Sequence, residues 1–129
     1  IDAFKKGNRV QDIFTGNFEE GRTGNETLLS SLNEAKNEGL RPSIYTHPLG
    51  TYGHSAGTTF GMWDSQGGVP VNGDYPLHLN TVYAIELNTT VFIEEWNRDI
   101  RIMLEEAGFF GPEGFRYVNQ RQEQIKLVK

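Results

Sequence analysis

The chain has 129 residues, 12 Lys and Arg against 17 Asp and Glu, a formal net charge of −5, and no cysteine. This length predicts a single domain with a real core and leaves no room for a second domain. The negative charge argues against nucleic acid as a partner, because no basic field would hold phosphates. The lack of cysteine excludes disulfides and thiolate metal sites.

No apolar run approaches the ~20 residues that a membrane helix needs, and the amino terminus lacks the apolar segment of a signal peptide. We therefore expect a soluble protein without a membrane partner. The composition leaves the compartment open, with the cytoplasm slightly favoured over the periplasm. The sequence opens at Ile1 instead of a methionine, which predicts a processed or truncated chain.

Two amphipathic helices are predicted in the first third of the chain. Apolar residues recur at helical spacing over residues 2–15 and indicate the first helix. Thr23 followed by Glu26 is a capping-box pattern that opens the second helix. Gly39 is placed to end this helix in the left-handed conformation, after which the chain must become extended.

Beyond the second helix, β-branched and aromatic residues dominate short runs separated by Gly, Asn and Asp. This pattern predicts strands near residues 43–45, 58–62, 82–87, 90–93, 100–104, 115–118 and 124–128. Asn88-Thr89 and Asn97-Arg98 have the composition of turns, so the later runs are expected to pair as sequential antiparallel neighbours. Residues 65–76 form the longest irregular loop, a type that often serves as a lid or binding rim.

Helices first and strands afterwards favour one fold class. We predict an α+β fold, in which a curved and mostly antiparallel sheet carries the two helices on its outer face. The cleft of such a fold is expected on the concave side of the sheet.

Two histidines are the first candidate site residues. His47 precedes Pro48, which biases its backbone toward extended geometry at the end or edge of a strand. Alone, it would be interpreted as a surface or hydrogen-bonded residue. If the strand were continuous, His54 would lie roughly 23 Å from His47, but Gly50 and Gly53 allow the chain to fold back. The imidazoles are then expected to share one cleft, either as two ligands or as one ligand and one group that contacts the substrate.

Glu86 is the third candidate. Strand alternation places it on the face of Val82 and Ala84, and apolar residues on both faces indicate a buried strand. An ionised carboxylate is costly there unless a cation meets it. Two interpretations stay open: a structural ion pair with Arg101, or an oxygen ligand that shares a metal with His47.

The remaining residues whose side chains could take part in a reaction or bind a metal have simpler interpretations. Met103 lies on the same predicted strand face as Arg101 and is interpreted as a core residue, because a thioether does not suit a site built from carboxylate and imidazole. His78 is interpreted as a surface residue. The charged tail at residues 121–123 is expected to be a solvated strand face.

Taken in order, these features resemble the C-terminal half of the catalytic domain of the pita-bread metallopeptidases. This family contains methionine aminopeptidase, aminopeptidase P, prolidase and the metal-free relative creatinase. The pattern is His47-x-x-Gly50-x-x-x-His54, then Glu86 in a strand after a loop, then Arg101-Ile102 at the final ligand strand. The sequence is most similar to the X-Pro aminopeptidase and dipeptidase branch, and the helix start at residues 21–26 extends the resemblance over essentially the whole chain. Residues 1–129 would then be the C-terminal part of a larger catalytic domain.

The resemblance implies roles for the candidate residues. His47 and Glu86 are implied ligands of a divalent metal centre (manganese, cobalt or zinc), and His54 is implied to contact the substrate or the reaction intermediate. Family chemistry is hydrolysis of the amino-terminal peptide bond, frequently one that precedes proline, so the implied substrate is a peptide. The family's last carboxylate ligand falls at Met103, and the half-domain that supplies two aspartate ligands is not in this chain. One imidazole and one carboxylate are too few for a catalytic metal site, so tight metal binding by this chain is not expected.

Two functions follow from this partial match. The first is a fragment of an X-Pro aminopeptidase-like metallohydrolase, inactive as an isolated chain, whose partner is the missing N-terminal lobe. The second is a metal-free pseudo-enzyme that binds a peptide or a protein, since one fold can host several functions. A small cupin-type metalloenzyme fits poorly, because no glutamate closely follows the histidines. Without its companion lobe the sheet would expose apolar surface, so a homo-oligomer is also expected.

Overall fold

Two amphipathic helices open the fold in the computed structural model, which describes residues 2–128. Helix α1 spans Asp2–Gly16 and buries Val10, Ile13 and Phe14 along one face. Helix α2 spans Gly24–Asn37 and buries Leu28 and Leu32. Both predicted helices are therefore confirmed, and neither is long and apolar enough to cross a membrane within the described part of the chain.

The predicted signals at the two ends of α2 are also present. The Thr23 hydroxyl accepts from the Glu26 backbone N–H at 3.1 Å, and the Glu26 carboxylate accepts from the Thr23 backbone N–H at 2.9 Å. These reciprocal bonds satisfy donors that the first helical turn leaves unpaired. At the other end, Gly39 adopts a left-handed φ of 76° and its N–H bonds to Lys36.

One antiparallel sheet of six strands follows the helices. The strands are β1 Pro42–Ile44, β2 His47–Gly50, β3 Gly53–His54, β4 Thr81–Ile93, β5 Arg98–Gly111 and β6 Gly114–Tyr117. The order is β3-β2-β4-β5-β6, and β1 also pairs with β4. A short 3-10 helix at Glu94–Trp96 and the left-handed Asn97 join β4 to β5, close to the predicted turn. The predicted α+β fold is thus confirmed.

The core lies on one face of the sheet. Tyr83, Ile85 and Leu87 alternate along β4 and pack with Phe14 and Leu28 of the helices. Because side chains alternate between the two faces of a strand, the even-numbered residues of β4 point away from the helices. Glu86 therefore belongs to the face of the sheet that the helices leave open.

One strand prediction and one turn prediction in the middle of the chain are wrong. Residues 58–62 form no strand and contribute only two isolated bridges, Thr46–Phe60 and Met62–Ser65, because Gly61 turns the chain between them with a left-handed φ of 69°. Residues 88 and 89 do not form a turn, and the predicted strands 82–87 and 90–93 are parts of the single strand β4. The buried Asn88 amide donates to the Tyr45 hydroxyl at 3.4 Å, so a neighbouring side chain partners it without a chain reversal.

The predicted strand at residues 124–128 is also wrong, and the solvated strand face at 121–123 is absent with it. This segment is irregular and does not join the sheet, and its first residues contact α1. Arg121 forms an ion pair with Asp12, and the Asn8 amide donates to the Gln122 carbonyl oxygen at 3.0 Å. These polar contacts with α1 outweigh the local strand propensity of the tail. The loop at residues 65–76 is irregular, as predicted.

Candidate functional site

His47 and Glu86 meet on the open face of the sheet. His47 begins β2 opposite Ala84 of β4, and Glu86 follows two residues later on the same face of β4. The His47 Nε2 and Glu86 Oε2 atoms are 2.9 Å apart, and their side chains are only 13% and 24% exposed. The alternative ion pair with Arg101 is not formed, because Arg101 pairs with Thr90 farther along the strands.

Both ring nitrogens of His47 face oxygen atoms. Nδ1 lies 2.9 Å from the Pro48 carbonyl oxygen, so Nδ1 is assigned as an N–H donor. In a neutral ring, the Nε2 lone pair would then face the Glu86 carboxylate, which is favourable only if a proton or a cation lies between them. Two ligands at about 2.0–2.2 Å from one ion are separated by roughly 2.8–3.1 Å in octahedral geometry and by roughly 3.3–3.6 Å in tetrahedral geometry, so 2.9 Å suits an octahedral ion. The observed distance therefore fits an imidazolium–carboxylate pair and also fits two ligands of one cation.

His54 joins this pair through a tight hairpin. Gly50 pairs with Gly53, which has a left-handed φ of 95°, and Leu49 pairs with His54. The rings of His47 and His54 stack with 3.8 Å between centroids and 15° between planes. The chain folds back as predicted, and the three candidate residues share one cleft.

This cleft has a volume of 540 Å³ and two kinds of lining. The imidazoles and the Glu86 carboxylate supply its polar part. Tyr45, Met62, Trp63 and Val69 supply apolar surface, and Asn72 lies at the rim. The predicted rim loop at residues 65–76 thus does contribute to the cleft.

Glu105 is a candidate that the sequence reasoning missed. The register of β4 and β5 places Glu105 directly opposite Glu86, so the two carboxylates lie on the same face. Met103 instead pairs with Asn88 and is 66% exposed, so its interpretation as a core residue is wrong. Counting cross-strand pairs from the β4–β5 connection, where Ile93 pairs with Arg98, would have identified Glu105, but the register across that connection is not evident from the sequence.

Few side chains in the described part of this chain stand close enough together to share a metal ion. Within residues 2–128, no three His, Asp or Glu side chains stand close enough together to hold a metal ion. One imidazole nitrogen and one carboxylate oxygen are positioned for a shared cation, whereas catalytic zinc sites use three protein ligands. His78 is exposed, as predicted, and lines a neighbouring cleft with Ser55 and Asn72.

Comparisons with known proteins bear on the fold. The sequence matches no protein-family model, and no curated protein resembles it closely enough to count as a match. The structure is similar to the crystal structure of X-Pro aminopeptidase from Thermotoga maritima MSB8, with a TM-score of 0.67 over 98% of this chain and 16% sequence identity. This chain spans 33% of the length of that protein. The fold is therefore aminopeptidase-like.

Proposed function

We propose that this chain carries part of the active site of a divalent-metal-dependent hydrolase that cleaves amino-terminal peptide bonds, in particular bonds that precede proline. In this proposal His47 and Glu86 hold a manganese, cobalt or zinc ion, and His54 contacts the peptide. The 2.9 Å distance between Nε2 and Oε2 carries the proposal, because it suits two ligands of one cation. The aminopeptidase-like fold supports the substrate class.

We further propose that the Glu105 side chain, which does not stand close enough to His47 and Glu86 to form a three-ligand group in this structure, turns toward Glu86 and becomes the second carboxylate ligand, in place of Met103, where the family resemblance puts the last carboxylate. Carboxylates directly opposite on paired strands repel each other unless a cation or a proton lies between them. A shared cation would relieve this repulsion between Glu86 and Glu105, and oxygen ligands suit manganese or zinc. The exposed thioether of Met103 offers neither charge nor a hard ligand.

The remaining ligands would come from outside this chain, from an N-terminal lobe of the same protein or from another subunit. When bound, the metal would polarise the carbonyl of the scissile bond as a Lewis acid. Two or three ligands are below the number that a catalytic site needs. We therefore expect the isolated chain to bind metal weakly and not to hydrolyse peptides.

Titration with Co²⁺, followed by its visible absorption and by calorimetry, tests the ligand assignment. We expect His47→Ala to weaken binding by more than the roughly tenfold that loss of a supporting residue costs. Glu105→Gln is expected to weaken binding as well, because it removes a charged oxygen donor. Glu113→Gln, at an exposed position in the β5–β6 turn, is the matched control and should leave binding unchanged. Equal affinity in all four proteins would refute the site.

Hydrolysis of an X-Pro dipeptide with added manganese, cobalt or zinc tests the second part of the proposal. No turnover is expected from the isolated chain. Robust turnover that disappears in His47→Ala would show that this chain is a complete enzyme and would contradict the need for further ligands.

A metal-free peptide-binding module is the second candidate function. It is favoured by the absence of a three-ligand group among residues 2–128. A proton alone can bridge His47 and Glu86, and the stacked His54 covers one face of the His47 ring. Peptide binding that is the same with EDTA and with added Mn²⁺, together with no Co²⁺ absorption band, would favour this module over the hydrolase.

A further inference from the structure

Trp63 is an exposed aromatic residue at the edge of the cleft. Its side chain is 77% exposed, although it lines the same cleft as His47 and Glu86. Its neighbour Met62 also lines the cleft and is 44% exposed. An indole offers up to about 200 Å² for burial, so leaving it in water forgoes one of the largest hydrophobic gains available to a side chain.

A tight turn presents this side chain. Met62 and Ser65 exchange two backbone hydrogen bonds, of 3.2 Å and 2.9 Å, so Trp63 lies at the tip of the turn. The Gln66 amide fixes the turn to β1: it donates to the carbonyl oxygens of Ile44 and Met62, each at 2.7 Å, and accepts from the Ile44 N–H at 2.9 Å. The turn is therefore anchored to the sheet directly beside the exposed indole.

A second amide anchors the loop that follows. The Asn25 side chain of α2 accepts from the Val69 N–H at 2.7 Å and donates to the Val69 carbonyl oxygen at 3.1 Å. The backbone on both sides of Trp63 is thus held before any ligand arrives. A preorganised backbone loses less conformational entropy on binding, and an exposed aromatic residue carried on such a backbone suits a binding surface.

From this geometry we infer that Trp63 determines specificity, its indole forming a platform for an apolar, ring-bearing side chain near the amino terminus of a bound peptide. The inference rests on the proposed function in that it takes the ligand of the cleft to be a peptide. The polar part of the cleft, with His47, His54 and Glu86, suits the peptide backbone. The apolar part, with Met62 and Trp63, suits a phenyl or pyrrolidine ring stacked on the indole, and the flexible thioether adapts to either.

Calorimetric titration of the 129-residue chain with two tripeptides, Ala-Phe-Ala and Ala-Gly-Ala, tests the platform. The unmodified chain should bind the phenylalanine peptide on the order of tenfold more tightly. This preference should disappear in Trp63→Ala and be partly kept in Trp63→Phe. Trp96→Ala is the matched control, because Trp96 is 62% exposed in the short helix between β4 and β5 and does not line the cleft. It should keep the full preference.

Because Trp63 is exposed, its replacement by alanine should not unfold the protein. An unchanged thermal transition in Trp63→Ala would verify this. A preference that survives in Trp63→Ala overturns the platform, as does an unmodified chain that binds neither peptide or binds both equally. If Trp63→Ala loses the preference for the phenylalanine peptide but His47 does not bind Co²⁺, the platform is supported and the hydrolase proposal is refuted. If His47 binds Co²⁺ but the preference does not depend on Trp63, the hydrolase proposal is supported and the platform is refuted.

Discussion

Single residues determine how closely the backbone segments around the cleft can approach one another. At Gly61 a methyl group would lie 2.3 Å from the Ile44 carbonyl oxygen, and its φ of 69° is a conformation that other residues rarely adopt. This close approach lets the turn that carries Trp63 lie against β1. The position of the indole therefore depends on the absence of a side chain two residues earlier.

Substitution of Gly61 by alanine should be strongly destabilising. The added carbon combines backbone strain with a clash against a fixed carbonyl, so we expect a loss of more than about 2 kcal/mol in the free energy of unfolding. Gly21→Ala is the matched control, because Gly21 has a φ of 83° but open space around it, and only strain of about 1 kcal/mol is expected. Urea denaturation measures both. Equal losses of unfolding free energy in the two variants would show that the Ile44 carbonyl oxygen does not exclude a side chain at position 61.

The sequence alone predicts that His47, His54 and Glu86 share one cleft, because glycines mark the reversal between the histidines and a carboxylate in an apolar strand needs a cationic neighbour. It does not identify Glu105. Which β5 residue faces Glu86 depends on cross-strand register, which is fixed by the geometry of the connection between the strands. The spacing of residues along the sequence does not determine that register.

At the scale of elements, the start of helix α2 is specified locally. Thr23 and Glu26 satisfy each other's backbone donors, and between them lies Asn25, whose amide anchors the cleft loop. Strand β4 and the C-terminal tail are not specified locally, because their outcome depends on partners distant in sequence. Asn88 is held by Tyr45, and the tail is held by Asp12 and Asn8 of α1.

Loss of the Thr23 hydroxyl should destabilise α2. Thr23→Ala is expected to reduce the free energy of unfolding by about 1 kcal/mol near neutral pH, because the N–H of Glu26 loses its acceptor. Asn33→Ala, at an exposed position in the interior of the same helix, provides a comparison in which no capping bond is lost. Chemical denaturation that gives equal stabilities for Thr23→Ala and the unmodified chain would contradict the contribution of the cap.

The same cap should make stability depend on pH. Hydrogen bonds from the Thr23 backbone and side chain lower the pKa of Glu26 below its usual value of 4.5. A lowered pKa in the folded state means that this stabilisation is present above about pH 4.5 and is lost as the pH falls through the folded value. Glu26→Gln can keep the reciprocal bonds but cannot titrate, so its stability should fall less over this acidic range.

At the scale of the whole molecule, the two faces of the sheet differ in character. The helices cover one face, while the other presents Glu86 and Glu105 together with exposed apolar side chains. Phe92 is 53% exposed and Met103 is 66% exposed, and alternation puts both on the face of Glu86. An exposed apolar surface beside the proposed metal ligands would suit a companion lobe or subunit, which is the partner that we propose.

This asymmetry predicts self-association of the chain at high protein concentration. Apolar residues exposed on an open sheet face gain free energy when a second surface removes them from water. Light scattering should give an average mass above that of a monomer, and a Phe92→Ser/Met103→Ser double variant should return it to the monomer value. Leu29→Ser is the control, since Leu29 is 42% exposed on α2, away from the open face, and its replacement should not change the mass. A strict monomer in the unmodified chain would count against a missing companion surface.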